Sequence, residues 1–97
     1  MQPQTAKILR ASQAGLQDKG DVVIRLKPGD AQSGIIVDIE SKVMSMFGDQ
    51  IRASVLEIID SYGLTDVHVS VRDQGALDYA IRARVQAAIE RAIKEDQ

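Results

Sequence analysis

The chain contains neither cysteine nor tryptophan. Without thiols it can form no disulfide, no thiolate zinc site and no thiol nucleophile, a composition that fits a reducing, cytoplasmic setting. Its one histidine, His68, cannot build a histidine cluster for a metal. Aromatic residues are scarce too. Phe47, Tyr62 and Tyr79 are the full set, too few for a platform on which bases could stack. Twelve basic residues against fourteen acidic ones leave a net charge of −2 with the signs interspersed, so there is no basic face for a phosphate backbone. No apolar run approaches the roughly 20 residues of a membrane span, and Met1-Gln2-Pro3-Gln4-Thr5 lacks the apolar stretch of a signal peptide. The expectation is a small soluble domain with no nucleic acid and no membrane among its partners. Its 97 residues suffice for a single core.

What the chain does have is periodicity. Residues 1 to about 14 are polar and read as a flexible N-terminal arm. Val22, Ile24 and Leu26 then alternate with Val23, Arg25 and Lys27, the period of a half-buried strand. Pro28-Gly29-Asp30 reads as a turn, and Ile35, Val37 and Ile39 predict a second strand, paired with the first as an antiparallel hairpin. Ser41 is placed to cap a helix carrying Val43, Phe47, Ile51, Val55, Ile58, Ile59 and Tyr62 on one face. Gly48 could interrupt its early turns, with Asp49 as a second cap, and Gly63 is placed to end it. Val67, Val69 and Val71 predict a third strand. A last helix from about Ala76 has Leu77, Ile81, Val85, Ala88, Ile89 and Ala92 as its inner stripe. The predicted fold class is α+β: a two-layer α/β sandwich of order ββαβα, a three-stranded sheet with two helices on one side.

Catalytic constellations are missing. His68 stands between valines on a strand, with no serine and aspartate at a spacing that would orient it as a base. Asp18, Asp21 and Asp30 lack the spacing of a calcium loop and suit turns better. Asp60-Ser61 resembles the dipeptide that bears phosphopantetheine in helical carriers, but here it closes a helix, the end whose dipole repels an anion. No catalytic residue and no metal ligand is therefore expected. Gly15-Leu16-Gln17-Asp18-Lys19-Gly20-Asp21 matches no phosphate-cradling pattern and reads as an exposed approach to the first strand.

A resemblance carries further. Asp73, Gly75, Ala76, Leu77, Asp78, Arg82, Ala83 and Arg84 form a run similar to the start of the last helix in the citrate lyase acyl carrier family, the gamma chain of citrate lyase. Phe47-Gly48-Asp49-Gln50-Ile51-Arg52 resembles that family's first helix. Ala14-Gly15 and Gly20 to Pro28 resemble its N-terminal segment. Gln74 and Tyr79 depart from it only in positions that concern surface and packing. The resemblance implies an acyl-carrier-like domain over residues 15–97. It also implies a non-catalytic subunit that presents a phosphoribosyl-dephospho-coenzyme A arm, bearing acetyl and citryl thioesters, to the alpha and beta subunits. A prosthetic-group transferase would attach that arm.

In the family the arm sits on a serine of the N-terminal loop. Aligned from Gly15 to Asp21, that position holds Lys19, flanked by Asp18 and Gly20. Lysine has no hydroxyl, so the family's phosphodiester cannot form there. Three readings stay open: an unmodified carrier, a substitute attachment at Ser12, or an arm-less structural or non-covalently binding subunit. Ser33, Ser41, Ser45, Ser54, Ser61 and Ser70 fall on or beside regular elements, poor roots for a swinging arm. Arg82 and Arg84 could meet partners or the arm's phosphates, or simply be helix charges supporting Asp78.

Overall fold

The computed structural model describes residues 7–93. In chain order the elements are β1 (Ser12–Gly15), β2 (Val22–Pro28), β3 (Ile35–Ser41), α1 (Met44–Ser61), β4 (Val67–Asp73) and α2 (Asp78–Ile93). The α+β class holds, but the sheet has four strands, in the order β1-β2-β4-β3. Residues 12 to 14, expected in a flexible arm, pair with β2 from Ser12 opposite Leu26 to Gly15 opposite Val23. Ile8, also assigned to that arm, is buried. Residues 1–6 of the arm lie outside the described residues.

The expected hairpin of β2 with β3 does not form. β4 lies between them, antiparallel to β2 and parallel to β3. Alternation marks a strand without naming its neighbour, and here burial decides the order. Val67, Val69 and Val71 of β4 are fully buried, whereas β3 exposes Ile35, Ile36, Asp38 and Glu40 and so suits an edge. The connection between β2 and β3 wraps the start of β4. Gly29 N–H donates to the Asp66 carbonyl (3.1 Å), Gly34 N–H to the Asp66 carboxylate (2.9 Å), and Val67 N–H to the Gly34 carbonyl (3.3 Å). β3, α1 and β4 thus form a parallel crossover unit.

The register sorts the side chains by face. Ala14, Val22, Ile24, Leu26, Val67, Val69 and Val71 occupy positions of one parity and share the core with Ile51, Val55 and Ile59 of α1 and Ile81, Val85, Ala88, Ile89 and Ala92 of α2. Both helices therefore pack on one side of the sheet, as the apolar stripes require. His68, Ser70 and Arg72 point to the other side, with Arg25 and Lys27. Arg72 spends its charge within the sheet, on Glu40 (3.0 Å) and Asp38 (3.7 Å).

The helix ends differ from expectation in ways that shape the site. Ser41 is the last residue of β3 and not a cap of α1, whose Ncap is Val43. Gly48 does not interrupt α1, which runs unbroken from Met44 to Ser61, so Asp49 opens no second helix. Gly63, at φ 70°, ends α1 as expected, its N–H donating to the Asp60 carbonyl (2.9 Å). Leu77 is not on the inner stripe. It precedes α2 and its carbonyl accepts from Ala80 and Ile81 (2.9 and 3.1 Å), while its side chain is exposed.

Candidate functional site

The segment between β1 and β2 carries Lys19 at its tip. Gln17, Asp18, Lys19 and Gly20 are all exposed. Asp21 N–H donates to the Asp18 carbonyl (3.0 Å), closing a β-turn with Lys19 and Gly20 at its centre. Gly20 has φ 82°, the value a type II turn requires at its third residue. That requirement explains why glycine follows Lys19, and a Cβ there would meet nothing within 4 Å. The tip stands in open space.

The base of the same loop is tightly held. Asp21 does most of this. Its carboxylate accepts from Val22 N–H (2.7 Å) and Leu16 N–H (3.2 Å), and it takes a two-pronged bond from Arg84 of α2 (Nη2 2.9 Å, Nε 3.3 Å). The backbone adds a reciprocal pair across to the β4–α2 turn. Gly20 N–H donates to the Gln74 carbonyl and Gln74 N–H to the Asp21 carbonyl, each at 2.9 Å. Bidentate arginine bonds fix direction as well as distance, so the hairpin leaves the sheet at a set angle. The tip is exposed while its root is hydrogen-bonded to α2 and to the β4–α2 turn.

The β4–α2 turn is itself built on a buried carboxylate. Asp73, 2 % exposed, accepts from the Ser41 hydroxyl (2.7 Å) and from Ala76 N–H (2.8 Å). Ser41 also accepts from Val43 N–H (3.0 Å), and Lys42 N–H donates to the Asp73 carbonyl (3.3 Å). One side chain thereby ties together the ends of β3 and β4 and the approach to α2. Next along, Asp78 accepts from the Ser54 hydroxyl and from Arg82 Nε (2.9 Å), and Arg82 Nη1 reaches Glu57 (3.0 Å). This network clamps α2 to α1. Beside it, Val43, Phe47, Ile51, Leu77 and Ile81 line an open groove of about 280 Å³, with the Phe47 and Leu77 side chains exposed.

Residues 10–92 match the family described as ACP, malonate decarboxylase delta subunit (MdcD). The chain is 38% identical to the citrate lyase acyl carrier protein of Halothermothrix orenii over 91% of its own length and 92% of that protein's. It is 40% identical to the citrate lyase acyl carrier protein of an Enterobacter species, over 92% and 90% of the two chains. The chain belongs to this acyl carrier family. In fold it matches a chain in a crystal structure of a Pseudomonas malonate decarboxylase hetero-tetramer in complex with malonate. The TM-score is 0.71 at 18% identity, covering 94% of this chain and 92% of that one.

Membership gives the carrier's helix-start run a physical reading. Asp73 is the buried anchor, Gly75 takes a turn conformation at φ 97°, Asp78 joins Ser54 and Arg82, and Arg84 holds Asp21. The run fixes the ground on which the Lys19 loop stands. Arg82 supports Asp78 one turn away, as a helix charge would, but Arg84 is committed to a different element. The Arg82–Asp78 pair follows from the four-residue spacing read in the sequence, whereas the Arg84–Asp21 pair does not. The other local signal was Asp73 two residues before a glycine, a common way for aspartate to accept from the backbone of a turn.

Ser12 is placed less favourably. It lies on the helix-facing side of β1, half-buried, and its hydroxyl donates to the Ala88 carbonyl of α2 (2.6 Å). His68 and Asp30 lie away from the loop, His68 on the open sheet face and Asp30 in the β2–β3 connection. Among the described residues no group of three or more acidic, histidine or cysteine side chains is arranged to hold a metal ion, and no helix is long and apolar enough to cross a membrane.

The Val22 amide, and after it Arg84, hold the Asp21 carboxyl below its ordinary value of 3.8. The Ser54 hydroxyl, then Arg82, does the same for Asp78. A depressed carboxylate stabilises the fold at pH above its unfolded value, and that contribution is lost as pH falls through the folded one. Replacing Asp21 by Asn should therefore flatten the loss of stability below about pH 4, measured by urea denaturation across acidic buffers. At neutral pH a double-mutant cycle of Asp21→Asn with Arg84→Gln should give a coupling of no more than about 1 kcal/mol, because the arginine is 41% exposed. An unchanged acid slope in Asp21→Asn would show that the pair does not contribute.

Proposed function

We propose that this chain is the non-catalytic carrier subunit of a cytoplasmic citrate lyase-type complex, holding residue 19 out towards the active sites of partner subunits. The observation that carries the reading is the loop itself, a solvent-exposed turn on a rigid root, in a chain whose relatives are acyl carriers. A carrier makes no bonds. It raises the local concentration of a tethered group at more than one active site, which needs a free tip and a fixed base. The partners in this reading are alpha and beta subunits like those of citrate lyase, joined in a hetero-oligomer, and a prosthetic-group transferase.

The family's arm does not fit this loop. Phosphoribosyl-dephospho-coenzyme A needs a hydroxyl to form its phosphodiester, Lys19 has none, and the Ser12 hydroxyl is engaged with Ala88 under α2. That mismatch favours a second reading, an arm-less assembly subunit that kept the fold. Both readings require docking to the lyase subunits. Co-expression with the alpha and beta subunits of the same host should yield one complex on size exclusion, and elution of this chain alone would overturn both. Within that complex, Lys19→Ser supplied with the transferase should gain the mass of the arm if only the hydroxyl is missing.

A further inference from the structure

The misfit at residue 19 leaves a nucleophilic side chain where a carrier presents its cargo. We propose that Lys19 is a covalent attachment point in its own right, its amine holding a carboxylic acid cofactor through an amide. The proposal deepens the carrier reading and rests on it.

Three observations support the position. Lys19 occupies the first corner of an exposed turn, and among the described residues its side chain has no hydrogen bond or ion pair. The space beside it is open, as the empty surroundings of Gly20 show, so a modifying enzyme can close over the tip. The root is braced by Asp21, Arg84 and Gln74, so an attached group would swing from a fixed origin. Lys27 and Lys42 are exposed as well, but Lys27 lies on the open sheet face and Lys42 follows β3 with its backbone bonded to Asp73, so neither stands at the tip of the β1–β2 loop.

The chemistry follows from what an amine can do. An ammonium group cannot displace an unactivated acid, so the cofactor must arrive as its acyl-adenylate on a ligating enzyme. That enzyme takes a proton from Lys19, and the free Nζ pair attacks the carbonyl carbon. A C–N bond forms and the C–O bond to the AMP phosphate breaks, AMP leaving with the electron pair. A second proton leaves as the amide is made. Nothing is oxidised or reduced. An amide is not reversed by the acyl exchange that a carrier serves, so the acid must bear a second reactive group at its far end.

The test uses the full chain purified from its own host. Trypsin cannot cut after an amidated lysine, so the modified protein should give an uncut fragment of residues 11–25 with added mass. That mass should survive alkali strong enough to eliminate a serine-linked phosphodiester. It should disappear in Lys19→Arg and persist in Lys42→Arg. A fragment of unmodified mass, cut after Lys19, overturns the proposal, as does added mass that maps to another residue. If an unmodified chain still assembles with the lyase subunits, the carrier fold's docking role stands and the amide alone fails. If an amidated chain fails to assemble with them, the amide stands and the citrate lyase partners are wrong.

Discussion

Gly15→Ala is expected to be among the most damaging single substitutions in this chain, costing about 4 kcal/mol of stability. Gly15 closes β1 at φ 97°, and a Cβ on it would stand 1.8 Å from the Val22 carbonyl oxygen. That atom is backbone and belongs to the first residue of β2, so no side chain can turn aside to make room. Either the hairpin opens at its root or β1 leaves the sheet. Gly20→Ala is the control, since its φ is also positive but its surroundings are empty. It should cost only about 1 kcal/mol, the ordinary penalty of a left-handed conformation. Urea titration of the two variants separates steric closure from backbone preference. Equal losses would mean that the close approach at Gly15 relaxes freely.

Asp73→Ala should destabilise by about 2 kcal/mol, because it removes a buried carboxylate that accepts from a half-buried hydroxyl and a half-buried amide at once. The Ser41 hydroxyl and Ala76 N–H both lose their acceptor. The loss should not stay local. Gln74, which exchanges backbone bonds with Gly20 and Asp21, stands next in the chain. Hydrogen exchange at Gly20 and Gln74 should therefore quicken in Asp73→Ala even under conditions where the core stays folded. Exchange unchanged at those two amides would separate the buried anchor from the loop. Asp73→Asn retains one acceptor oxygen and should lose less.

Much of the fold is legible in the sequence because inner and outer residues alternate cleanly where both partners are regular. β2, β4 and most of the apolar stripes of both helices follow from Val22, Ile24 and Leu26, from the valines of β4, and from Ile81, Val85 and Ile89, although Phe47 and Leu77, expected on those stripes, are exposed. The missed strand is Ser12–Gly15. Its inward residues are a serine and an alanine, small because α2 lies close above them, and small residues carry no hydrophobic period. The misplaced pairing has a different cause. Which strand sits in the middle depends on how the β2–β3 connection crosses the start of β4, a long-range matter that alternation does not encode.

The site was legible only in part. A polar, glycine-flanked segment before a strand announces an exposed turn, and the resemblance to carrier sequences made position 19 within it the expected attachment point. The brace was not legible, since Asp21 and Arg84 are far apart in the chain and meet only after α2 has packed. Ser12 remained open on sequence alone because a hydroxyl shows no orientation until β1 has a face.

The central place of β4 also bears on how the protein is made. Synthesis delivers β2 and β3 first, and neither has its main neighbour until Asp73 has left the ribosome. Until then the chain holds one short antiparallel pair, β1 with β2, and an unpaired β3 rich in isoleucine, the kind of edge that recruits other chains. Completion requires pairing across the long stretch from β2 to β4, which is slow to close. Misassembly is therefore expected mainly in the window of translation between β3 and β4, and a chaperone that shields Ile35 to Ile39 during that interval should raise the yield of folded carrier without altering the finished protein.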